Sequence, residues 1–188
     1  MTPAHFEFTP TPLAGLTVIK RKPIKDGRGF LCRFYCAEEL REAGLRKPIE
    51  QINHTFTRKK GAVRGLHFQY PPHAEAKIVS CLKGEIYDVA VDIRHGSPTF
   101  LCWYAEVLSA DNYKSLLIPE GFAHGFQTLT GECELIYLHT TSYAPEAEGG
   151  LNVRDPRLAI TWPLNISELS NRDLSYVYVD DQFEGIRL

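Results

Sequence analysis

Between Ile49 and Thr141 the chain falls into short, β-prone runs at close and even spacing, and this spacing excludes most folds. The runs are Ile49–Phe56, Ala62–Phe68, Ala76–Leu82, Glu85–Ile93, Cys102–Leu108, Lys114–Ile118, His124–Leu129 and Cys133–Thr140. Turn formers separate them: Lys59-Lys60-Gly61, Pro71-Pro72, Lys83-Gly84, His95-Gly96-Ser97-Pro98, Asp111-Asn112 and Thr130-Gly131-Glu132. In Glu85–Ile93 apolar residues alternate with acidic or small ones, the period of a strand with one face in a core. Evenly spaced strands of this kind predict an all-β sandwich or closed barrel and fit βαβ units poorly. Helix is expected only at Ala37–Ala43, ended by Gly44. Beyond Asp155-Pro156 the chain is turn-rich, with one helical turn expected at Leu169–Asp173. Phe6–Lys22 reads as a peripheral strand, and because such a strand must be paired or covered, pairing across a homodimer is expected.

A chain of 188 residues is most simply one domain, here 1–188, with enough material to bury a core. Its net charge of −2 argues against non-specific nucleic-acid binding, which needs a basic surface, but allows a small anionic ligand held by a few arginines in a cleft. No apolar run is long enough to span a bilayer, and Met1–Thr11 lacks a cationic-then-apolar signal pattern, so a cytoplasmic protein without membrane partners is expected. The cysteines Cys32, Cys36, Cys81, Cys102 and Cys133 are odd in number and widely spaced, which suits reduced, mostly buried thiols. Cys32 and Cys36 form the one close pair, and no second Cys/His pair follows at zinc-site spacing.

Two segments carry the chemistry. Arg64-Gly65-Leu66-His67-Phe68-Gln69 and Ile118-Pro119-Glu120-Gly121-Phe122-Ala123-His124-Gly125-Phe126 each set a histidine among apolar neighbours in a strand-like stretch. Buried imidazoles near an arginine suit proton transfer around an anionic ligand. Strict alternation would put Arg64 and His67 on opposite faces of a strand unless the chain bends at Gly65. Gln51 and Asn53 share one strand face.

With these stand Asp26-Gly27-Arg28-Gly29-Phe30, Gln51-Ile52-Asn53-His54, Lys77, Asp88–Arg94, Gly96–Phe100, Tyr137, Tyr143-Ala144-Pro145 and Leu169–Asp173. Through this ordered set the chain resembles, from Asp26 to Asp173, dTDP-4-dehydrorhamnose 3,5-epimerase and its relatives, a family of cupin-type double-stranded β-helix (jelly-roll) proteins. The resemblance implies inversion at C3 and C5 of a 4-keto-6-deoxy sugar carried on a nucleoside diphosphate, with no metal and no other cofactor. Both carbons flank the C4 ketone, so a base can remove their protons if the enolate is stabilised. It further implies His67 as base, Asp173 as the carboxylate that orients it, Lys77 near the C4 oxygen, and Tyr137 as the acid on the opposite face. Arg64 and Arg28 match the diphosphate clamp. His124 matches a second pocket histidine near the sugar. Gln51, Asn53 and Tyr143 match the base or ribose contacts.

The chain departs from the family pattern at two positions. Leu31 stands where many members have an aromatic residue, and Arg33 where they have a glutamate. In the family these positions contact the nucleotide from the neighbouring subunit, so the change bears on nucleotide recognition. Three other readings remain open. Pro119–His124 fits the second cupin motif of metal enzymes, but the first motif normally carries two histidines one residue apart, and here the pair is His67 and Gln69. A single-centre epimerase or ketoisomerase uses the same enolate chemistry. A non-catalytic sugar-nucleotide binder would need neither a His–Asp pair nor an opposed tyrosine.

Overall fold

Short strands with turn formers between them build two facing sheets. The computed structural model describes residues 4–188. In chain order the elements are β1 (Phe6–Pro10), β2 (Thr17–Arg21), β3 (Ile24–Asp26), β4 (Gly29–Leu31), α1 (Ala37–Leu40), β5 (Gln51–Thr57), β6 (Val63–Gln69) and β7 (Lys77–Lys83). They continue as β8 (Glu85–Asp92), β9 (Trp103–Ser109), β10 (Lys114–Ile118), β11 (Phe122–Thr128), β12 (Cys133–His139), β13 (Glu148–Gly150) and α2 (Asn171–Ser175). One antiparallel sheet has the order β1-β2-β10-β7-β12-β5, the other β13-β6-β11-β8-β9. The arrangement is an all-β, cupin-like jelly roll, as expected.

Three apolar clusters hold it. The first, between the sheets, gathers Val79, Ile86, Ala90, Leu108, Leu116, Phe122, Phe126 and Leu135. The second lies where Leu151, Val153, Leu158, Val179 and Ile186 of the C-terminal segment pack on Leu66, Val89, Val91 and Ala123 of the five-stranded sheet. The third sets Phe6, Leu40 and Leu45 against Ile78, Leu117 and Leu138 on the outer face of the six-stranded sheet. The outer face of the five-stranded sheet is thus covered, and strands such as β8 and β11 are buried on both sides, whereas Ile52 and Phe56 of β5 stay exposed.

Three local expectations need correction. Phe6–Lys22 is a hairpin of two strands: Gly15, at φ +87°, and the Leu16 N–H to Leu13 carbonyl bond (3.1 Å) turn the chain between β1 and β2. β2 is paired on both sides, to β1 and β10, so β1 takes the outer position. Helix α1 ends at Leu40; the following N–H groups of Glu42, Ala43 and Gly44 bond three residues back, and Gly44 at φ +98° closes the turn. Of the thiols, all unpaired, only Cys81 and Cys133 are buried, and Cys102 is exposed. A two-stranded hairpin, β3–β4, also projects with Ile24, Phe30 and Leu31 exposed.

Asp92 fixes the loop from β8 to β9. Its carboxylate accepts from the Arg94 backbone N–H (3.0 Å) and guanidinium (2.9 and 2.7 Å), and from the Ser97 and Thr99 hydroxyls (both 2.6 Å). Burial pushes this carboxyl up, but the donors outweigh it and hold it at about 2. Asp92→Asn is expected to cost about 2–4 kcal/mol in urea unfolding, because buried donors lose their charged acceptor. The depressed value stabilises the fold fully above pH ~4 and the contribution is lost as pH falls toward ~2. The variant should therefore show a shallower loss of stability over that acid range.

Candidate active site

A cavity of about 500 Å³ opens between the two sheets, lined by side chains from both. β6 and β11 contribute Arg64, His67 and His124 from one sheet; β5, β7 and β12 contribute Asn53, Lys77, Tyr137 and His139 from the other. Tyr137 and His139, two residues apart on β12, face inward together. In register they lie beside Val79 and Lys77 of β7 and beside Asn53 and Gln51 of β5.

Arg64 and His67 do reach the same cavity. The β6–β11 register shifts between His124 and Phe126, opposite Gly65, whose φ is +133°. A Cβ at Gly65 would come within 2.5 Å of the Gly125 Cα, so a side chain at this position would force the strands apart. The irregularity sets His67 in register with His124.

His67 Nε2 lies 2.7 Å from Asp173 Oδ1. Asp173 reaches it from α2, whose N-cap Ser170 hydroxyl accepts from the Asp173 N–H at 3.0 Å. Burial pushes the Asp173 carboxyl up, but the His67 ring, Ser170 and the Gly65 N–H draw it below its ordinary value. An ionised carboxylate only accepts, so the proton of this pair sits on Nε2 and the lone pair on Nδ1. The Arg172 guanidinium is 3.3 Å from the same Nε2; two donors meet there, so this is not a hydrogen bond, and Arg172 pairs instead with Glu148 (2.9 and 3.0 Å) and, at 3.8 Å, with Asp173.

A second imidazole–carboxylate pair joins His124 Nε2 to the fully buried Asp88 at 2.7 Å. A third joins His139 Nδ1 to Glu75 at 2.7 Å, and the other Glu75 oxygen is 2.7 Å from Lys77 Nζ. Burial pushes the Glu75 carboxyl up, but Lys77 and His139 outweigh it and hold it at about 2. Lys77 is thus a buried, paired ammonium at the end of a central strand, and not a solvated edge lysine. Tyr137 is flanked by His124 (ring centroids 6.0 Å) and His139 (5.9 Å, near-parallel). Burial, with the Asp88 carboxylate second, pushes its phenol far above the ordinary value, so it stays protonated across the physiological range.

Of the other residues singled out in the sequence, Asn53 lines the cavity and Tyr143 stands at its mouth, donating to Glu148 at 2.9 Å. Gln51 accepts from the Tyr143 N–H at 3.0 Å and is not in the lining. Arg28 and Arg33 lie elsewhere. Arg28 is at the tip of the β3–β4 hairpin, its side chain 90% exposed and paired with Asp26. Arg33 pairs with Glu39 beside His5, next to a smaller hollow that also takes in Leu31. Both sit apart because β3–β4 joins neither large sheet. Sequence reasoning did not single out Glu75, Asp88, His139, Glu148 or Arg172 as site residues. Period two signals His139 from Tyr137, whereas Glu148 and Arg172 have no local signature. Among the described residues no group of three or more His, Cys, Asp or Glu side chains is placed to hold a metal ion, and no helix is long and apolar enough to cross a membrane.

Fold and cavity together define a cupin-type jelly roll with a polar, histidine-rich pocket between its sheets. The sequence profile of the family described as dTDP-4-dehydrorhamnose 3,5-epimerase matches residues 10–181. The enzyme of that name from Salmonella typhimurium is 41% identical over 172 residues, 90% of this chain and 93% of its own. The crystal structure of dTDP-6-deoxy-D-glucose-3,5-epimerase from Legionella pneumophila, in complex with dTDP-4-keto-L-rhamnose, superposes with a TM-score of 0.90 at 37% identity, covering 97% of this chain and 98% of that one. A 3′-monoepimerase from Streptomyces bikiniensis in complex with dTDP-quinovose gives a TM-score of 0.82 at 34% identity, covering 90% and 85%. The chain belongs to the dTDP-4-dehydrorhamnose 3,5-epimerase family and is a carbohydrate epimerase.

Proposed function

We propose that the protein inverts C3 and C5 of a dTDP-linked 4-keto-6-deoxy sugar, converting the 4-dehydro-6-deoxyglucose form to 4-dehydrorhamnose. The observation that carries this reading is the opposition of His67, on one sheet and paired with Asp173 of α2, to buried Tyr137 on the other sheet, across one cavity. Inversion needs a proton removed on one face of a carbon and returned on the other, and two facing sheets supply the two sides. His67 Nδ1 takes the proton next to the ketone, while Asp173 supports the imidazolium that forms. The Lys77 ammonium faces the negative charge that develops on the C4 oxygen, in a pocket where burial strengthens the attraction. Tyr137 returns a proton from the other side. Arg64 and Arg172 supply positive charge for the diphosphate, and the Salmonella and Legionella relatives support thymidine as the base.

This reading includes a homodimer. The β3–β4 hairpin, with its exposed Ile24, Phe30 and Leu31, holds Arg28 apart from the chain's own cavity; in this reading Arg28 and the nearby Arg33 reach the nucleotide end of a second copy's pocket. There Leu31 and Arg33 set nucleotide preference.

The test is NMR of dTDP-4-keto-6-deoxyglucose with the protein in D2O. Deuterium entry at both C3 and C5, with inversion, is expected. No solvent exchange at either carbon would overturn the reading. Likeness to the Streptomyces bikiniensis monoepimerase favours a second reading, inversion at C3 alone, and deuterium confined to C3 would establish it.

A further inference from the structure

Glu75 lines the cavity but touches neither His67 nor Asp173, and both of its oxygens are engaged. One oxygen holds Lys77 Nζ at 2.7 Å and the other holds His139 Nδ1 at 2.7 Å. The side chains of Glu75, Lys77 and His139 are only 10%, 6% and 11% exposed. The segment before β7 is itself stapled to the end of β12. The Thr140 hydroxyl accepts from the Ala76 N–H (2.9 Å), the Thr140 N–H donates to the Ala76 carbonyl (3.0 Å), and the Thr141 hydroxyl donates to the Ala74 carbonyl (3.2 Å). His139 is fixed in turn: its ring lies near-parallel to Tyr137, and the Asn53 amide approaches its free Nε2 at 3.4 Å. The segment that carries Glu75 and its partner His139 are thus both anchored, so the carboxylate is held independently of Lys77.

A lysine ammonium ends a flexible four-carbon stem, and in a buried site a fixed counter-ion sets its position. Stabilisation of an oxyanion depends on the cation being in place before the charge develops. Resting on the enolate reading above, we propose that Glu75 is a positioning residue for the epimerisation, acting through Lys77, with His139 as the brace that holds the second oxygen of the carboxylate. Glu75 itself passes no proton to or from the sugar.

The test is a double-mutant cycle read as solvent-deuterium incorporation into dTDP-4-keto-6-deoxyglucose, with melting temperatures measured alongside. Glu75→Gln is expected to lower kcat by about 10- to 100-fold with KM within about threefold, as for a misplaced catalytic group. In a Lys77→Met background the same change is expected to alter kcat by less than about threefold, because its target is already gone. A merely structural role would lower kcat by the same factor in both backgrounds, and that result would overturn the proposal; so would a Glu75→Gln enzyme as fast as the wild type. If Glu75→Gln melts more than about 10 °C early, His139→Phe, which keeps both charges and a flat ring against Tyr137, takes its place in the same cycle. The same outcomes then decide. Wild-type protein that exchanges no hydrogen would instead defeat the enolate reading, and it shows this before any variant is made.

Discussion

His67→Asn is expected to lose epimerisation and solvent exchange together, at C3 and at C5, by at least the hundred- to ten-thousand-fold typical of general-base catalysis, ~10²–10⁴. Asparagine keeps a polar side chain of similar reach in the pocket but offers no lone pair basic enough to take a carbon-bound proton. Asp173→Asn tests the same pair from the other end. The amide cannot stabilise an imidazolium and can turn the ring to the wrong tautomer, so a loss of comparable size is expected, about 10³–10⁴. Substrate affinity should change little in either variant, because neither side chain is part of the positive charge gathered around Arg64 and Arg172. The measurement is single-turnover deuterium uptake by NMR beside a binding isotherm. Full exchange in His67→Asn would remove His67 from the chemistry.

Tyr137→Phe is expected to separate the two halves of the reaction. Inversion should fall by about 10²–10⁴, while the His67–Asp173 pair, across the cavity and untouched, continues to lift protons and return them to the face they left. Deuterium should then enter the substrate with retention of configuration. This dissociation is specific to an acid on the opposing face. If tyrosine only packs the cavity, exchange and inversion will fall in step. Phenylalanine is a fair replacement because the ring fills the space between His124 and His139, and losing one hydroxyl from a buried site leaves the packing intact. The phenol is also suited to this role, since burial keeps it protonated and so able to donate.

Much of this was legible in the linear sequence. β-prone runs between turn formers located β5 to β12 to within a few residues, because strand propensity and turn chemistry are both local. His67 and His124 were marked by motif, Lys77 and Tyr137 by the family resemblance, and all four meet in one cavity. The local irregularity at Gly65 was needed to reconcile Arg64 with His67, and the absence of a side chain there permits it. The turn at Gly15, the early end of α1 and the separate β3–β4 hairpin were not legible. A hairpin of three-residue strands has no periodicity to read.

What the residues settled alone was the identity of the elements and the kinds of group available, since periodicity and side-chain chemistry are properties of neighbours along a chain. Which groups meet was decided only by the folded molecule. Asp173 reaches His67 across 106 positions, Glu75 reaches His139 across 64, and Asp88 reaches His124 across 36. None of these pairs has a local signature, because each forms only when strand order brings distant segments together. The same closure buries the carboxylates, draws Glu75 and Asp173 below their ordinary values and holds the Tyr137 phenol above its own. The carboxylates are lowered by the partners brought against them and the phenol is raised by burial, and only the assembled sheets supply both.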